Sequence, residues 1–131
     1  MKVLSPRAHG VLDYATVVFF ALAPSIFNMG GIYATVCYAL AGSYLVITLL
    51  TDFQMGIAHL IPFRVHGWLE LVSGLVLLAS PFIFGFQDDS VTARNFFMAM
   101  GGVFLVVWLL TDWQADTHTH THGSGTLMPN H

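Results

Sequence analysis

The sequence predicts an all-α membrane protein of four transmembrane helices, built as two tandem, parallel-oriented two-helix repeats. Three observations carry that expectation. The 131 residues are 56% hydrophobic and only 8% charged, where an ordinary soluble domain is about 25% charged, so one small core cannot hide the apolar surface. The apolar residues fall in long uncharged runs. A block of sequence also occurs twice. Two other classes are excluded at this level. Four basic residues cannot form a stripe that neutralises phosphates, which excludes a nucleic-acid partner. Cys37 is the one cysteine, which excludes a disulfide-stapled secreted fold.

The spans follow in order. Tyr14 to Thr51 contains 38 residues without a charge or a histidine, nearly enough for two helices of about 20 residues. It is punctuated at Asn28-Met29-Gly30-Gly31, a turn signal. Leu71–Gln87 and Asn95–Thr111 are also uncharged, and the polar segment from Asp88 to Arg94 separates them. Helices are therefore expected near residues 11–28, 32–51, 67–86 and 94–113. A β-barrel would alternate apolar and polar residues; Leu45-Val46-Ile47-Thr48-Leu49-Leu50 does not, and a helix satisfies its own backbone in lipid. Lys2, Arg7 and Ala21-Leu22-Ala23 imitate a cleavable leader. Asp13 inside the apolar run and Pro24 after the apparent cut read instead as a first working helix.

The duplication orders these helices. Arg7-Ala8-His9-Gly10-Val11-Leu12-Asp13 matches Arg64-Val65-His66-Gly67-Trp68-Leu69-Glu70 at an offset of 57 residues, and Pro24 meets Pro81. Leu49-Leu50-Thr51-Asp52-Phe53-Gln54 matches Leu109-Leu110-Thr111-Asp112-Trp113-Gln114 at an offset of 60. Repeat 1 is read as residues 1–57, repeat 2 as 58–114, and a polar tail as 115–131. A unit that crosses twice repeats with the same orientation, about a pseudo-two-fold axis along the membrane normal. Lys2, Arg7 and Arg64 then lie on the side of the termini, against Arg94 on the other. The positive-inside rule places both termini in the cytoplasm.

These motifs resemble the SPW-repeat family of small bacterial integral membrane proteins, named for a Ser-Pro-Trp motif late in the first helix of each repeat. The second repeat carries Ser80-Pro81-Phe82, and the first keeps only the proline, in Ala23-Pro24-Ser25. The His-Gly-x-Leu-acid opening and the Thr-Asp pair are also similar. The resemblance spans residues 5–114; it implies a four-helix bacterial inner-membrane fold and no chemistry.

The polar residues within the spans are the candidate site. His9, Asp13 and Thr16 share one helix face at i, i+4 and i+7, and His66, Glu70 and Ser73 repeat the spacing. Asp52 and Asp112 end the second helix of each repeat, and Arg7 and Arg64 precede the histidines. Each ionisable residue costs roughly 2.5–3.5 kcal/mol at a helix centre on insertion scales, so such residues face partners. The plainest reading is interhelical pairing: Arg7 with Asp112, Arg64 with Asp52, and each histidine with its own i+4 carboxylate. His9, Asp13, His66 and Glu70 also have the residue types of a bundle-core metal site. A proton or ion path and a lipid-headgroup or quinone contact are further readings. A bis-histidine haem is disfavoured, because His9 and His66 stand at the very start of the expected helices. His59 has no counterpart in the other repeat and reads as interfacial.

Small residues at Thr35, Ala39 and Ser43, and Met98 with Gly102, mark faces for close helix packing. Tyr14, Trp68 and Trp113 suit an aromatic belt. In the tail, His118, His120 and His122 alternate with threonine, a pattern of metal-binding tracts, of exposed chain or of a cloning addition. The function expected is a non-catalytic membrane protein, an accessory subunit of a larger complex, with other membrane subunits and the bilayer as partners and no cofactor. A cofactor-, metal- or quinone-binding membrane protein is the alternative, and a proton or ion transporter is third.

Overall fold

A computed structural model describes residues 2–115; His118, His120 and His122 lie outside the described residues. The chain forms α1 (Pro6–Ile26), α2 (Gly31–Leu50), β1 (Thr51–Asp52), β2 (Ile61–Pro62), α3 (Phe63–Ile83) and α4 (Val91–Leu110). All four helices are long and apolar enough to cross a membrane. Twenty residues at 1.5 Å each span about 30 Å, the thickness of the hydrocarbon layer. The protein is a multi-pass membrane protein.

All four helices begin earlier than composition places them, α2 by a single residue and the others at Pro6, Phe63 and Val91 instead of residues 11, 67 and 94. Capping explains two of the three larger shifts. The Ser5 hydroxyl accepts a hydrogen bond from the Ala8 N–H at 3.2 Å, with Pro6 in the first turn where its missing N–H costs nothing. The Ser90 hydroxyl does the same for the Ala93 N–H at 3.2 Å. α3 starts directly after Pro62. The consequence for the candidate site is that His9 and His66 are each the fourth residue of a helix, not the first.

Both first helices end in the same way. Asn28 and Gly85 hold left-handed backbones, with φ of 52° and 70°. Beyond them the Met29 N–H donates to the Pro24 carbonyl and the Phe86 N–H to the Pro81 carbonyl, each at 2.9 Å. This is the Schellman closure of a helix C-terminus. Pro81 cannot donate to the Leu77 carbonyl; the buried Ser80 hydroxyl does so instead, at 2.8 Å. The serine of the Ser-Pro pair thus supplies the hydrogen bond that the proline removes.

Within each hairpin the helices pack along their length: α1 on α2, and α3 on α4. The α3–α4 seam is tight at Gly101, where a Cβ would lie 2.5 Å from the Leu78 nitrogen and 2.7 Å from the Gly74 carbonyl oxygen. Gly102, on a face marked for packing within the bundle or against another subunit, meets open space here. Phenylalanines join the hairpins. Phe104 of α4 meets both Phe20 of α1 (ring centroids 6.1 Å) and Tyr44 of α2 (5.2 Å), and Phe20 stands edge-on to Phe96 at 5.7 Å. An apolar cleft of about 500 Å³ opens between α2 and α3, lined by Val36, Leu40, Val76, Leu77 and Phe97 among others.

The outward faces are apolar, with Val18, Leu22, Val46, Val72, Leu75 and Val106 all exposed. In water such faces would be a liability; in lipid they need no cover. The residues Thr35, Ala39 and Ser43 of α2 also point outward, together with Gly42. The buried line of that helix is Cys37, Ala41, Tyr44 and Thr48.

Candidate functional site

Main-chain pairing brings the chain's two repeats together at one end of the bundle. Leu4, ahead of α1, forms a parallel bridge with Thr111, after α4. Ile61 of β2 pairs with Thr51 of β1, also parallel. The Val3 N–H donates to the Leu110 carbonyl, and the Leu60 N–H to the Leu50 carbonyl, each at 2.8 Å. Each bridge tethers the segment before a first helix to the end of a second helix: α4 for α1, α2 for α3. The starts of α1 and α3 therefore meet.

Four ionisable side chains converge there. His9 Nε2 lies 3.2 Å from Asp13 Oδ1 and 3.2 Å from Glu70 Oε2. His66 Nε2 lies 3.1 Å from Asp13 Oδ2. All four residues are at most 3% exposed. The contacts form a chain from Glu70 to His9 to Asp13 to His66 that crosses between α1 and α3 twice. His66 reaches the carboxylate of the other helix, not its own i+4 Glu70, because the facing helix stands closer to the ring than the next turn does.

Two residues that sequence reasoning passed over fix the rings. Thr111 Oγ1 lies 2.8 Å from His9 Nδ1, and Thr51 Oγ1 lies 2.9 Å from His66 Nδ1. Each threonine donates its hydroxyl proton to a carbonyl one turn back, Val107 or Ile47, at 2.7 Å. The threonine oxygen must then accept, so Nδ1 carries the proton and each Nε2 is aimed at the carboxylates. Both threonines stand in the duplicated Leu-Leu-Thr-Asp block, whose aspartates alone are site candidates from the sequence. Their burial, 0% exposed in both cases, was the missing signal.

Aromatic rings close the site. His9 packs edge-on to Trp113 at 4.9 Å and to Phe63 at 5.8 Å; His66 lies over Phe63 at 6.3 Å, near Phe53 at 6.4 Å and Tyr44 at 6.0 Å. Trp113 thus walls the site on one side; its indole N–H donates to the Trp108 carbonyl at 2.9 Å. Its other neighbours include Arg64 and Trp68, with which it lines a cleft of about 220 Å³.

The remaining candidates stay outside the cluster. The Thr16 hydroxyl donates to its own Leu12 carbonyl at 2.8 Å, and Ser73 is half-buried on α3. Arg7 and Arg64 are exposed, and no ion pair joins Arg7 to Asp112 among the described residues. Arginine stems reach the interface easily, which removes the need for that partner. Asp52 is bonded to His59 at 2.9 Å, and Asp112 accepts from the Gln114 N–H at 3.1 Å. His59 itself is exposed, with a left-handed φ of 52°. Tyr14 donates its hydroxyl to the Met55 carbonyl at 2.6 Å.

No curated protein and no solved structure matches the chain. The SPW repeat domain model matches residues 7–111, from the arginine before His9 to the threonine that holds it. A match over that length, on four helices of membrane-spanning character, makes this chain a member of the SPW repeat family.

Proposed function

We infer that the protein is a non-catalytic structural component of a larger membrane assembly, an accessory subunit in a bacterial inner membrane with both termini cytoplasmic. Its two hairpins, residues 1–57 and 58–114, act as tandem copies of like orientation. The equivalent bridges Leu4–Thr111 and Ile61–Thr51 support that orientation, and Lys2, Arg7 and Arg64 support the sidedness.

One observation carries the accessory role. α2 turns four of its small residues, Thr35, Ala39, Gly42 and Ser43, away from its own bundle. Nothing lies within 4 Å of a Cβ built on Gly42, and the Thr35 hydroxyl is spent on its own Gly31 carbonyl at 3.2 Å. Small residues at this spacing let another helix approach closely, which is how helices associate where no hydrophobic force separates them from lipid. α2 is also the least covered helix, with 22% of its apolar window buried.

The test is purification from native membranes in mild detergent. The wild-type chain is expected to migrate in a complex larger than itself, and Ala39→Leu with Ser43→Leu is expected to release it as a folded single chain. A wild-type protein that migrates alone contradicts the accessory role.

A further inference from the structure

The convergence of His9, Asp13, His66 and Glu70 asks for something that the structural role does not supply. His9 Nε2, His66 Nε2, Asp13 Oδ2 and Glu70 Oε2 are buried without a hydrogen bond among the described residues. They point at one another across 3.1–3.2 Å contacts. With each Nδ1–H spent on a threonine, a neutral ring presents a bare Nε2 to a carboxylate oxygen, and the two repel. A proton on each Nε2 would turn these contacts into ion pairs; one divalent cation held by both rings and a carboxylate would satisfy them as well.

The geometry points to a divalent transition-metal site, and we propose that His9 Nε2, His66 Nε2 and Glu70 are its ligands, with the Asp13 carboxylate beside both rings. The ligand atoms of His9, His66 and Glu70 lie within 4.8 Å of one another. Ligands about 2.0 Å from a tetrahedral ion stand about 3.3 Å apart, close to the 3.2 Å between His9 Nε2 and Glu70 Oε2. Two imidazoles and a carboxylate suit zinc or iron better than calcium or magnesium, which take oxygen alone. The carboxylates of Glu70 and the adjoining Asp13 balance a divalent ion, so the filled site is neutral where burial penalises net charge. Thr51 and Thr111 are the outer partners that a metal-binding histidine requires on its second nitrogen, fixing tautomer and ring orientation. Phe53, Phe63 and Trp113 exclude water around it. The arrangement is drawn from both repeats, so an ion here ties the two hairpins together.

The experiment uses the full chain in detergent, with His118, His120 and His122 replaced by alanine so that the tail cannot contribute. After chelator treatment, Zn²⁺ alone is titrated and the bound metal counted. Co²⁺ is titrated in parallel, because its visible absorption reports four-coordinate nitrogen and oxygen ligation. One ion per chain is expected, with tetrahedral cobalt bands. His9→Gln with His66→Gln is expected to abolish binding, and Thr51→Val with Thr111→Val to weaken it 10–100-fold. If the histidine pair fails to fold, Asp13→Asn with Glu70→Gln keeps side-chain shape and is expected to lose the ion equally. A folded parent chain that takes up neither ion overturns the proposal, as does undiminished binding in a folded ligand variant.

Discussion

Gly10 and Gly67 each follow a buried histidine, and both are glycine for a steric reason. A Cβ on Gly67 would lie 2.9 Å from Trp113 Cε3; one on Gly10 would collide with Phe53 and lie 2.7 Å from Met55 Cγ. The duplicated His-Gly and Thr-Asp-aromatic motifs therefore describe one contact, a ring seated on a bare helix backbone beside the histidine. Gly67→Ala is expected to cost about 1–3 kcal/mol by overpacking and to change tryptophan emission as Trp113 is displaced. Thermal unfolding in detergent with fluorescence detection checks this, and Gly42→Ala, in open space, is the matched variant expected to be neutral. At this scale the histidines and acids were legible in the sequence because ionisable residues stand out in an apolar run. Thr51 and Thr111 were not. A threonine in a last helical turn ordinarily bonds its own carbonyl, and theirs do; only the docking of the other hairpin turns the same oxygen toward an imidazole.

The helices as elements were written in composition, and their ends were not. Apolar content locates the middle of a span but is blind to a cap, so Ser5-Pro6 and Ser90, the signals that start α1 and α4, outrank it. The difference mattered chemically: moving the start of α1 back to Pro6 puts His9 inside a hydrogen-bonded turn and removes the argument that the histidines are too shallow to serve as ligands. Glycine spacing was similarly ambiguous. Gly101 and Gly102 are adjacent, and a sequence pattern cannot say which of the two faces α3. The backbone of Leu78 sits against Gly101, so Gly101→Ala is expected to destabilise the α3–α4 hairpin by about 1–3 kcal/mol, whereas Gly102→Ala is expected to change little or to stabilise slightly, since alanine is the better helix former. Unfolding midpoints of the two variants in the same detergent decide it; equal effects contradict the seam described.

On the scale of the whole molecule, the few charges of the chain define how its halves meet. The apolar half of the interface is a set of phenylalanines, a contact many pairs of apolar hairpins make. The polar end is specific: each histidine bonds a threonine of the other repeat, and Asp13 touches both rings. Burying four ionisable groups opposes folding unless every one is compensated, so the junction holds only when the two hairpins dock in a single register. That the repeats are copies was legible in the sequence; that they exchange partners across the junction was not, since offsets show equivalence and not contact. The direct measurement is a double-mutant cycle on His66→Gln and Asp13→Asn, which lie in different hairpins, using unfolding free energies in mild detergent. A coupling of about 1 kcal/mol or more between the two sites is the expected result. Effects that add to within about 0.3 kcal/mol would contradict the claim that this junction joins the hairpins.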